Sequence, residues 1–383
     1  MKHNWEYKRL GDVCFVIGGS TPKTDVDEYW NGNLNWFTPS EINEQKYYST
    51  SERKITLEAV KATGLTLMPA GTVLLTSRAP IGKVGIATEE FYCNQGFKNL
   101  ICKDGLLNEY LYYTLIYFND EIKDKGRGAT FKEISKKVTE DIEIPVPPMS
   151  VQEQIVAEFD KINEVIADCR KLFSNLDTLA QSLFYDYFGD PVTNPKGWLM
   201  KTLGTVSTVL GGSTPKTNID EYWNGEFCWI TPAELKGEKY ISDTERHITE
   251  LGRASLGLQQ FPINTVLLTS RAPIGKVAIA KVPMYCNQGF KNLICDATQV
   301  HYQYVYFYLS LITAILNEKG SGATFKEISK RVTESVSIPV PPLELQEKFA
   351  ERIDQIDRQK KTVEETIKKM QTLLDSRMDY WFN

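Results

Sequence analysis

Histidine is scarce: His3, His247 and His301 are the only three in 383 residues, and they do not recur at equivalent places in the two halves of the chain. No HExxH, GxSxG or Cys/His catalytic spacing is present. Nor is there a GxxxxGK[ST] phosphate loop, because the Gly82-Lys83-Val84 run lacks both the upstream glycine spacing and the hydroxyl. The Pro147-Pro148 and Pro341-Pro342 pairs have neither the preceding amide nor the following ring of an amino-methyltransferase motif. These absences predict a chain that is not an enzyme, with a dispersed carboxylate nuclease site as the minor alternative. The seven cysteines show no metal-ligand spacing with the histidines, so no metal site is expected, and they read as buried, reduced thiols.

Long apolar runs are missing too. Nothing approaches the ~20 residues a membrane helix needs, and no charged-then-apolar leader precedes the first strand, so the expected location is the cytoplasm, with no membrane partner. Positive charge is not in excess. A net charge of −5 argues against a generic polyanion-binding coat and confines any nucleic-acid contact to local patches. A 42% hydrophobic, 24% charged composition is that of a globular chain with room for two or three domains.

What the chain does have is a long tandem duplication. Trp5, Leu10 and Gly11 return as Trp198, Leu203 and Gly204, an offset of 193 (198 − 5). GGSTPKT at Gly18 returns at Gly211, and EYWNG at Glu28 at Glu221. TVLLTSRAPIGKV from Thr72 is repeated letter for letter from Thr265, and CNQGFKNLIC from Cys93 is repeated from Cys286. One inserted residue then moves the offset to 194 (346 − 152). GRGATFKEISKKVTEDIEIPVPPMSVQEQ from Gly126 becomes GSGATFKEISKRVTESVSIPVPPLELQEK. The period is far too long for a solenoid.

After each IPVPP strap, where proline ends the preceding element, a long helix is predicted. In the first copy Ile155, Phe159, Ile162, Ile166, Cys169, Phe173, Leu176, Ala180, Leu183 and Tyr187 alternate steps of four and three, the a/d seam of a coiled coil. The second copy gives Phe349, Ile353, Ile356, Val363, Ile367, Met370, Leu374 and Trp381, interrupted by Lys360 and Arg377, which read as places where the helices splay or meet another subunit. The two helices are expected to pair with each other, antiparallel, within one chain. At ~1.5 Å per residue the helix from Gln152 is about 55 Å long, which runs alongside roughly 16 base pairs of DNA.

Strand signals dominate the rest: CFVIGG, TVLLTS, KVGIA and NLIC in the first half and TVSTVLGG, TVLLTS, KVAIA and NLIC in the second, with helical stretches around residues 108–118 and 302–316. The expected fold is α+β: two duplicated domains with mainly antiparallel sheet (1–148 and 198–342), two long spacer helices (149–188 and 343–383) forming an antiparallel coiled coil, and a turn-rich linker (189–197).

The GATFKEISKKVTEDIEIPVPPMSVQEQ phrase, the linker phrase YFGDPVTNPKGW, and the entry pattern W-x(4)-L-G followed by GGSTPKT and YWNG resemble the specificity subunit of type I restriction-modification systems. The resemblance covers essentially the whole chain. It implies that the globular halves are target recognition domains that enter the major groove of double-stranded DNA, and that the helices set their spacing and dock two modification subunits. Those partners would carry S-adenosylmethionine, and restriction subunits would carry ATP and magnesium, with no cofactor on this chain. Recognition domains in such subunits generally differ from one another, whereas these are near copies. The expected target is therefore a near-palindrome interrupted by unread bases, its symmetry relaxed where Asn33, Leu34, Asn35 and Phe37 face Glu226, Phe227, Cys228 and Ile230, and Glu44 and Gln45 face Gly237 and Glu238. A recognition portion of a single-chain restriction-modification enzyme and a protein scaffold without DNA are the rival readings.

Candidate DNA contacts are polar loop residues present in both copies. Arg78 and Arg271, with Ser77 and Ser270, sit at the end of a hydrophobic strand, where an arginine forks onto guanine, clamps a phosphate or makes a structural ion pair. Lys83 and Lys276 adjoin a glycine and suit phosphate. Asn94, Gln95, Asn287 and Gln288 suit adenine edges or turn-capping, with Lys98 and Lys291 beside them. Thr21, Lys23, Thr214 and Lys216 in GGSTPKT, and Thr38, Ser40 and Thr231 after Trp36 and Trp229, are further loop donors, while the tryptophans read as core. Lys132, Lys136, Lys326 and Lys330 suit a phosphate at a helix start or a solvated face. Deleting one heptad from both helices is expected to change the number of unread bases and leave the half-sites as they were; a methylated-base map of a host carrying the shortened chain with its modification subunit checks this.

Overall fold

The computed structural model describes residues 5–43, 45–78, 80–126, 133–271, 273–320 and 327–383. They form two compact units, Met1–Arg170 with Glu365–Asn383, and Lys171–Glu364.

In the first unit, a five-stranded sheet runs in the order Cys14–Gly18, Lys98–Cys102, Val73–Leu75, Val84–Ala87, Tyr47–Tyr48. Its pairs are antiparallel except the last, which is parallel. The TVLLTS and KVGIA strands form its middle hairpin, with Val73 opposite Ile86 and Leu75 opposite Val84. Every residue of both strands is buried, because the hairpin is covered on both faces. Val73, Leu75, Val84 and Ile86 pack under the helix Asn108–Tyr117 through Tyr110, Leu111 and Leu115. Leu74 and Ala87 turn the other way, against Phe37, Phe91 and Phe97. Strands alternate their side chains, so this hairpin can bind two layers at once. A smaller sheet, Lys54–Ile55, Trp30–Phe37, Tyr92–Cys93, again joins an antiparallel pair to a parallel one. The entering strand Tyr7–Arg9 pairs antiparallel with Glu143–Pro145, the start of the proline strap.

The second unit repeats each of these elements. Its larger sheet is Ser207–Gly211, Lys291–Cys295, Val266–Leu268, Val277–Ala280, Tyr240–Ile241, its smaller one His247–Ile248, Trp223–Ile230, Tyr285–Cys286, and Leu199–Thr202 pairs with Ser337–Val340. The fold is thus α+β with sheets that are antiparallel for the most part. The turn-rich stretch before it is tightly folded: Asp190 Oδ1 caps the Val192 and Thr193 amides at 2.8 and 2.9 Å, and Trp198 Nε1 donates to the Phe188 carbonyl at 2.8 Å.

Both long helices are forty residues, Met149–Phe188 and Leu343–Phe382. In the first unit the beginning of the former packs on the end of the latter, with the Phe159 and Phe382 rings 6.2 Å apart. In the second unit the end of the former packs on the beginning of the latter, with Phe349 5.8 Å from Phe184 and 5.1 Å from Phe188. The helices therefore pair antiparallel in a coiled coil. The seam departs from the expected heptad at its ends. Phe184 and Phe188 are buried where Leu183 and Tyr187 were expected, and Met378 and Phe382 are buried beside Trp381. A straight helix drifts from a 3.5-residue repeat, and here the last turns of each follow the domain helix they meet: Phe184 stacks on Tyr304 at 5.6 Å, and Phe382 tilts over Tyr110 at 5.9 Å.

The two seam interruptions do not splay the helices. Arg377 forks onto Glu158, which also accepts from Trp381 Nε1 at 2.9 Å. Lys360 reaches Asp177 at 2.7 Å and lies 4.1 Å from the Phe173 ring centroid.

At the start of each long helix a glutamine fastens the domain to it. Gln152 is fully buried; its Oε1 accepts from the Leu107 amide at 2.9 Å, and its Nε2 donates to the carbonyls of Gly105 at 2.9 Å and Pro147 at 2.8 Å. Gln346 does the same with the His301 amide and the Gln299 and Pro341 carbonyls. The glutamine of the PPxxxQ phrase thus closes the corner between strap, loop and helix. Gln152→Ala leaves three backbone groups without their partner, the Pro147 carbonyl among them buried, and is expected to cost about 1–3 kcal/mol, seen as a lowered midpoint in thermal unfolding; Gln346→Ala should match it.

Candidate nucleic-acid interface

In each unit four loops that are distant in sequence meet at one edge. Gly19 lets the GGSTPKT loop lie against the CNQGF loop, where a Cβ would overlap the Cys93 carbonyl oxygen. The Ser20 amide donates to that carbonyl at 2.9 Å, and Thr21 Oγ1 donates to Gln95 Oε1 at 2.6 Å. The Asn94 amide donates to Phe37 O at 3.1 Å, bringing in the loop after Trp36, and the Ser77 amide donates to Gly96 O at 2.7 Å, bringing in TSRAPIGK. Gly82, at φ 90, turns that last loop back so that Thr76 Oγ1 accepts from the Lys83 amide at 2.9 Å. In the second unit Thr214 donates to Gln288 at 2.7 Å and Ser270 N to Gly289 O at 2.7 Å. The candidate residues on these four loops are therefore neighbours in each half.

Arg78 stands at the tip of this cluster. Its Nε donates to Glu133 Oε2 at 2.9 Å, and Lys98 Nζ reaches Glu133 Oε1 at 3.3 Å and Ser77 Oγ at 3.1 Å. Arg271, Glu327, Lys291 and Ser270 repeat the arrangement at 2.9, 3.1 and 3.1 Å. Partial burial pushes the Glu133 carboxyl up, but hydrogen bonds and charge from Arg78 and Lys98 outweigh it and hold the carboxyl below the ordinary glutamate value; Glu327 is held likewise. The carboxylate orients the guanidinium through Nε. Among the described residues, none takes the Nη1 and Nη2 groups of either arginine.

Other candidates take different places. Ser77, Ser270 and Lys98 are buried, and the Lys291 side chain is only 12% exposed. As DNA contacts these four are corrected to supports, because the lysines are spent inside on the arginine's carboxylate and the serine hydroxyls accept from those lysines. Asn94 and Asn287 cap tight turns, their Oδ1 accepting from Gly96 and Gly289 at 2.8 Å. Thr38 and Thr231 cap turns with Glu41 and Glu234, and Ser40 shares the Thr38 hydroxyl at 2.8 Å. Lys276 Nζ is taken by the Leu235 carbonyl at 2.7 Å. Lys83 is half-buried at the loop turn. Lys23 and Lys216 are exposed on the GGSTPKT loops. Lys136 and Lys330 are exposed and pair with Glu140 and Glu334 at 3.6 Å. Lys132, Lys326 and Glu44 lie outside the described residues. Trp36 and Trp229 are core, each crossed edge-on by a second tryptophan at 5.1 and 5.0 Å and covered by Arg53 or Arg246.

One group was not legible from spacing. Cys228, Asp243 and His247 bring a sulfur, an oxygen and a nitrogen within 4.8 Å of one another, although no metal-ligand set was expected. All seven cysteines are free, but of the seven read as buried only Cys14, Cys93 and Cys286 are so, while Cys102, Cys169, Cys228 and Cys295 are half-buried; burial pushes the Cys93 and Cys286 thiols up to about 12.

If the Arg78 network is held by an ionised carboxylate, its contribution to stability is complete above the ordinary glutamate pKa and is lost as pH falls through the depressed folded value. Glu133→Gln and Glu327→Gln are expected to remove that acid dependence. Protection of the Arg78 and Arg271 Nε protons, followed by NMR as pH is lowered, checks it.

A profile of the type I restriction modification DNA specificity domain matches the chain twice, over residues 2–171 and 195–370. The chain is 31% identical over 371 residues to the MjaIX specificity subunit of Methanocaldococcus jannaschii, covering 90% of this chain and 85% of that protein. It is 28% identical over 297 residues to the EcoR124I/EcoR124II specificity subunit of Escherichia coli, covering 73% and 71%. Two solved structures share the fold. The type I system S subunit from M. genitalium has a TM-score of 0.60 at 15% identity, covering 99% of this chain and 96% of that one. A chain from a study of assembly and conformational transition of the type I R-M system has 0.63 at 20%, covering 99% and 97%. Among the described residues no helix is long and apolar enough to cross a membrane.

Proposed function

The chain belongs to the type I restriction modification DNA specificity family, and from that membership we propose that it is the non-catalytic, DNA-reading subunit of a cytoplasmic restriction-modification complex. Its two similar domains, 1–148 and 198–342, read the two half-sites of an interrupted target. The long helices dock two modification subunits. S-adenosylmethionine, ATP and magnesium reside on the modification and restriction partners.

The observation that carries this reading is the repeated loop cluster. Each unit holds an arginine by its Nε and leaves two parallel N–H groups for a guanine edge, the geometry that bidentate readout needs. Lys23, Lys83 and Gln95, with Lys216 and Gln288 in the other unit, flank the arginine as phosphate or base-edge donors. Because the two clusters share the arginine–glutamate–lysine–serine arrangement and the threonine–glutamine contact, the half-sites they read are similar.

A methylated-base map of a methylation-free host expressing the chain with its modification subunit is expected to show one interrupted motif with two similar inverted half-sites, modified at adenine on both strands. Arg78→Ala is expected to relax the map at one position of one half-site, by about 1–3 kcal/mol of discrimination, and Arg271→Ala at the equivalent position of the other. Two unrelated half-sites would refute the symmetric reading, and salt-insensitive or sequence-blind binding the DNA-reading role.

A further inference from the structure

At three touching positions, two on the smaller sheet and one on the loop before its edge strand, the two copies have changed together. In the first unit, Lys54 Nζ donates to Asn35 Oδ1 and, at 2.6 Å, to Thr50 Oγ1. The offset of 193 puts Cys228, Asp243 and His247 at these positions of the second unit (35 + 193, 50 + 193, 54 + 193). An amide, a hydroxyl and an ammonium give way to a thiol, a carboxylate and an imidazole. The backbone is the same in both, with Asn35 opposite Lys54 and Cys228 opposite His247 on paired antiparallel strands.

We propose that Cys228 Sγ, Asp243 Oδ1 and His247 Nε2 bind one zinc ion, with water or an incoming ligand in the fourth position. The spacing fits. Tetrahedral zinc with bonds of ~2.0–2.3 Å holds its ligand atoms about 3.3–3.6 Å apart; here the sulfur lies 3.6 Å from the carboxylate oxygen and 3.7 Å from the imidazole nitrogen, and the oxygen and nitrogen, 3.0 Å apart in a hydrogen bond, need only a few tenths of an ångström more, which the exposed Asp243 side chain can give. The direction fits as well. The thiol and the carboxylate approach the same imidazole nitrogen, Nε2. A nucleophile–base–orienter relay needs them on opposite nitrogens, so three ligand atoms aimed at one point suit a cation and not a catalytic triad. The site can be reached from solvent, since the Asp243 side chain is 77% exposed, while Cys228 is half-buried. Zinc replaces the thiol proton, which leaves to water, and affinity therefore rises with pH.

The ion would bridge strand Trp223–Ile230 to strand His247–Ile248 next to Trp229 and Arg246, stiffening the second domain alone. It would also set the two otherwise matched domains apart in one chemical respect.

The test uses the full chain, stripped by chelator and titrated with zinc or cobalt(II). One equivalent is expected per chain. Cobalt should give the intense visible bands and thiolate charge transfer of a tetrahedral site with one sulfur. C228N/D243T/H247K installs the first unit's own trio, which that fold accommodates, and should lose this equivalent, the charge-transfer band and any zinc-dependent rise in the melting temperature. Because Asp243 is exposed, D243N alone should fold in any case and weaken binding by about tenfold or more. Zinc held equally by these variants, or no equivalent bound by the parent chain, overturns the proposal. DNA readout is not needed for either result.

Discussion

An apolar stripe along a forty-residue helix must be covered, and the coiled-coil seam is the constraint on which everything else here depends. Each unit covers its half of the stripe with a segment of the other repeat's long helix: 365–383 closes the first unit, and 171–188 contributes to the second. The repeat in the sequence is therefore not the packing unit in space. The seam is apolar for most of its length, and burying an aromatic such as Phe159 or Phe349 stabilises by roughly 1.5–3 kcal/mol. Gln152 and Gln346 then transmit that rigidity to the recognition domains, because both hydrogen-bond the loop that leads into the domain helix.

A second fastening shows how near copies can diverge without losing the fold. Lys46 pairs with Asp160 of the long helix, beneath Tyr113. Its counterpart Lys239 passes the equivalent aspartate, Asp354, and pairs one turn on with Asp357 at 2.7 Å, together with Tyr240. Gln303 takes Asp354 at 2.6 Å. Burial pushes the Lys239 ammonium down against the pull of Asp357. The position of the lysine is kept, and the helix carboxylate it uses is exchanged.

Much of this was legible in the sequence. Long heptads and a letter-for-letter duplication specify helix pairing and two like domains, since period and repeat are local properties. The last turns of the seam were not, because whether Leu183 or Phe184 is buried is decided by Tyr304 and Phe307 of the domain. Loop candidates such as Arg78 and Gln95 could be picked by type and position. The inward turn of Lys98 and Ser77 could not, because it depends on Glu133 arriving from a segment 35 residues later than Lys98. The Cys228, Asp243 and His247 cluster has no signature spacing. Comparing the two copies position by position, and asking which differences touch, is the signal that would have found it.

The two charged pairs within the seam carry a consequence for how the chain chooses its partner. Glu158 meets Arg377, and Asp177 meets Lys360. At the equivalent positions of the first helix stand Leu183 (377 − 194) and Ile166 (360 − 194). A first helix that paired with the first helix of another molecule, in the same antiparallel register, would set both carboxylates against aliphatic side chains. Leaving the half-buried Glu158 unpaired costs free energy, the exposed Asp177 much less, whereas the pairs themselves add little. Their effect is thus discrimination: during synthesis, when only the first helix has emerged and neighbouring ribosomes offer identical copies of it, the seam is better served by waiting for the second helix of its own chain.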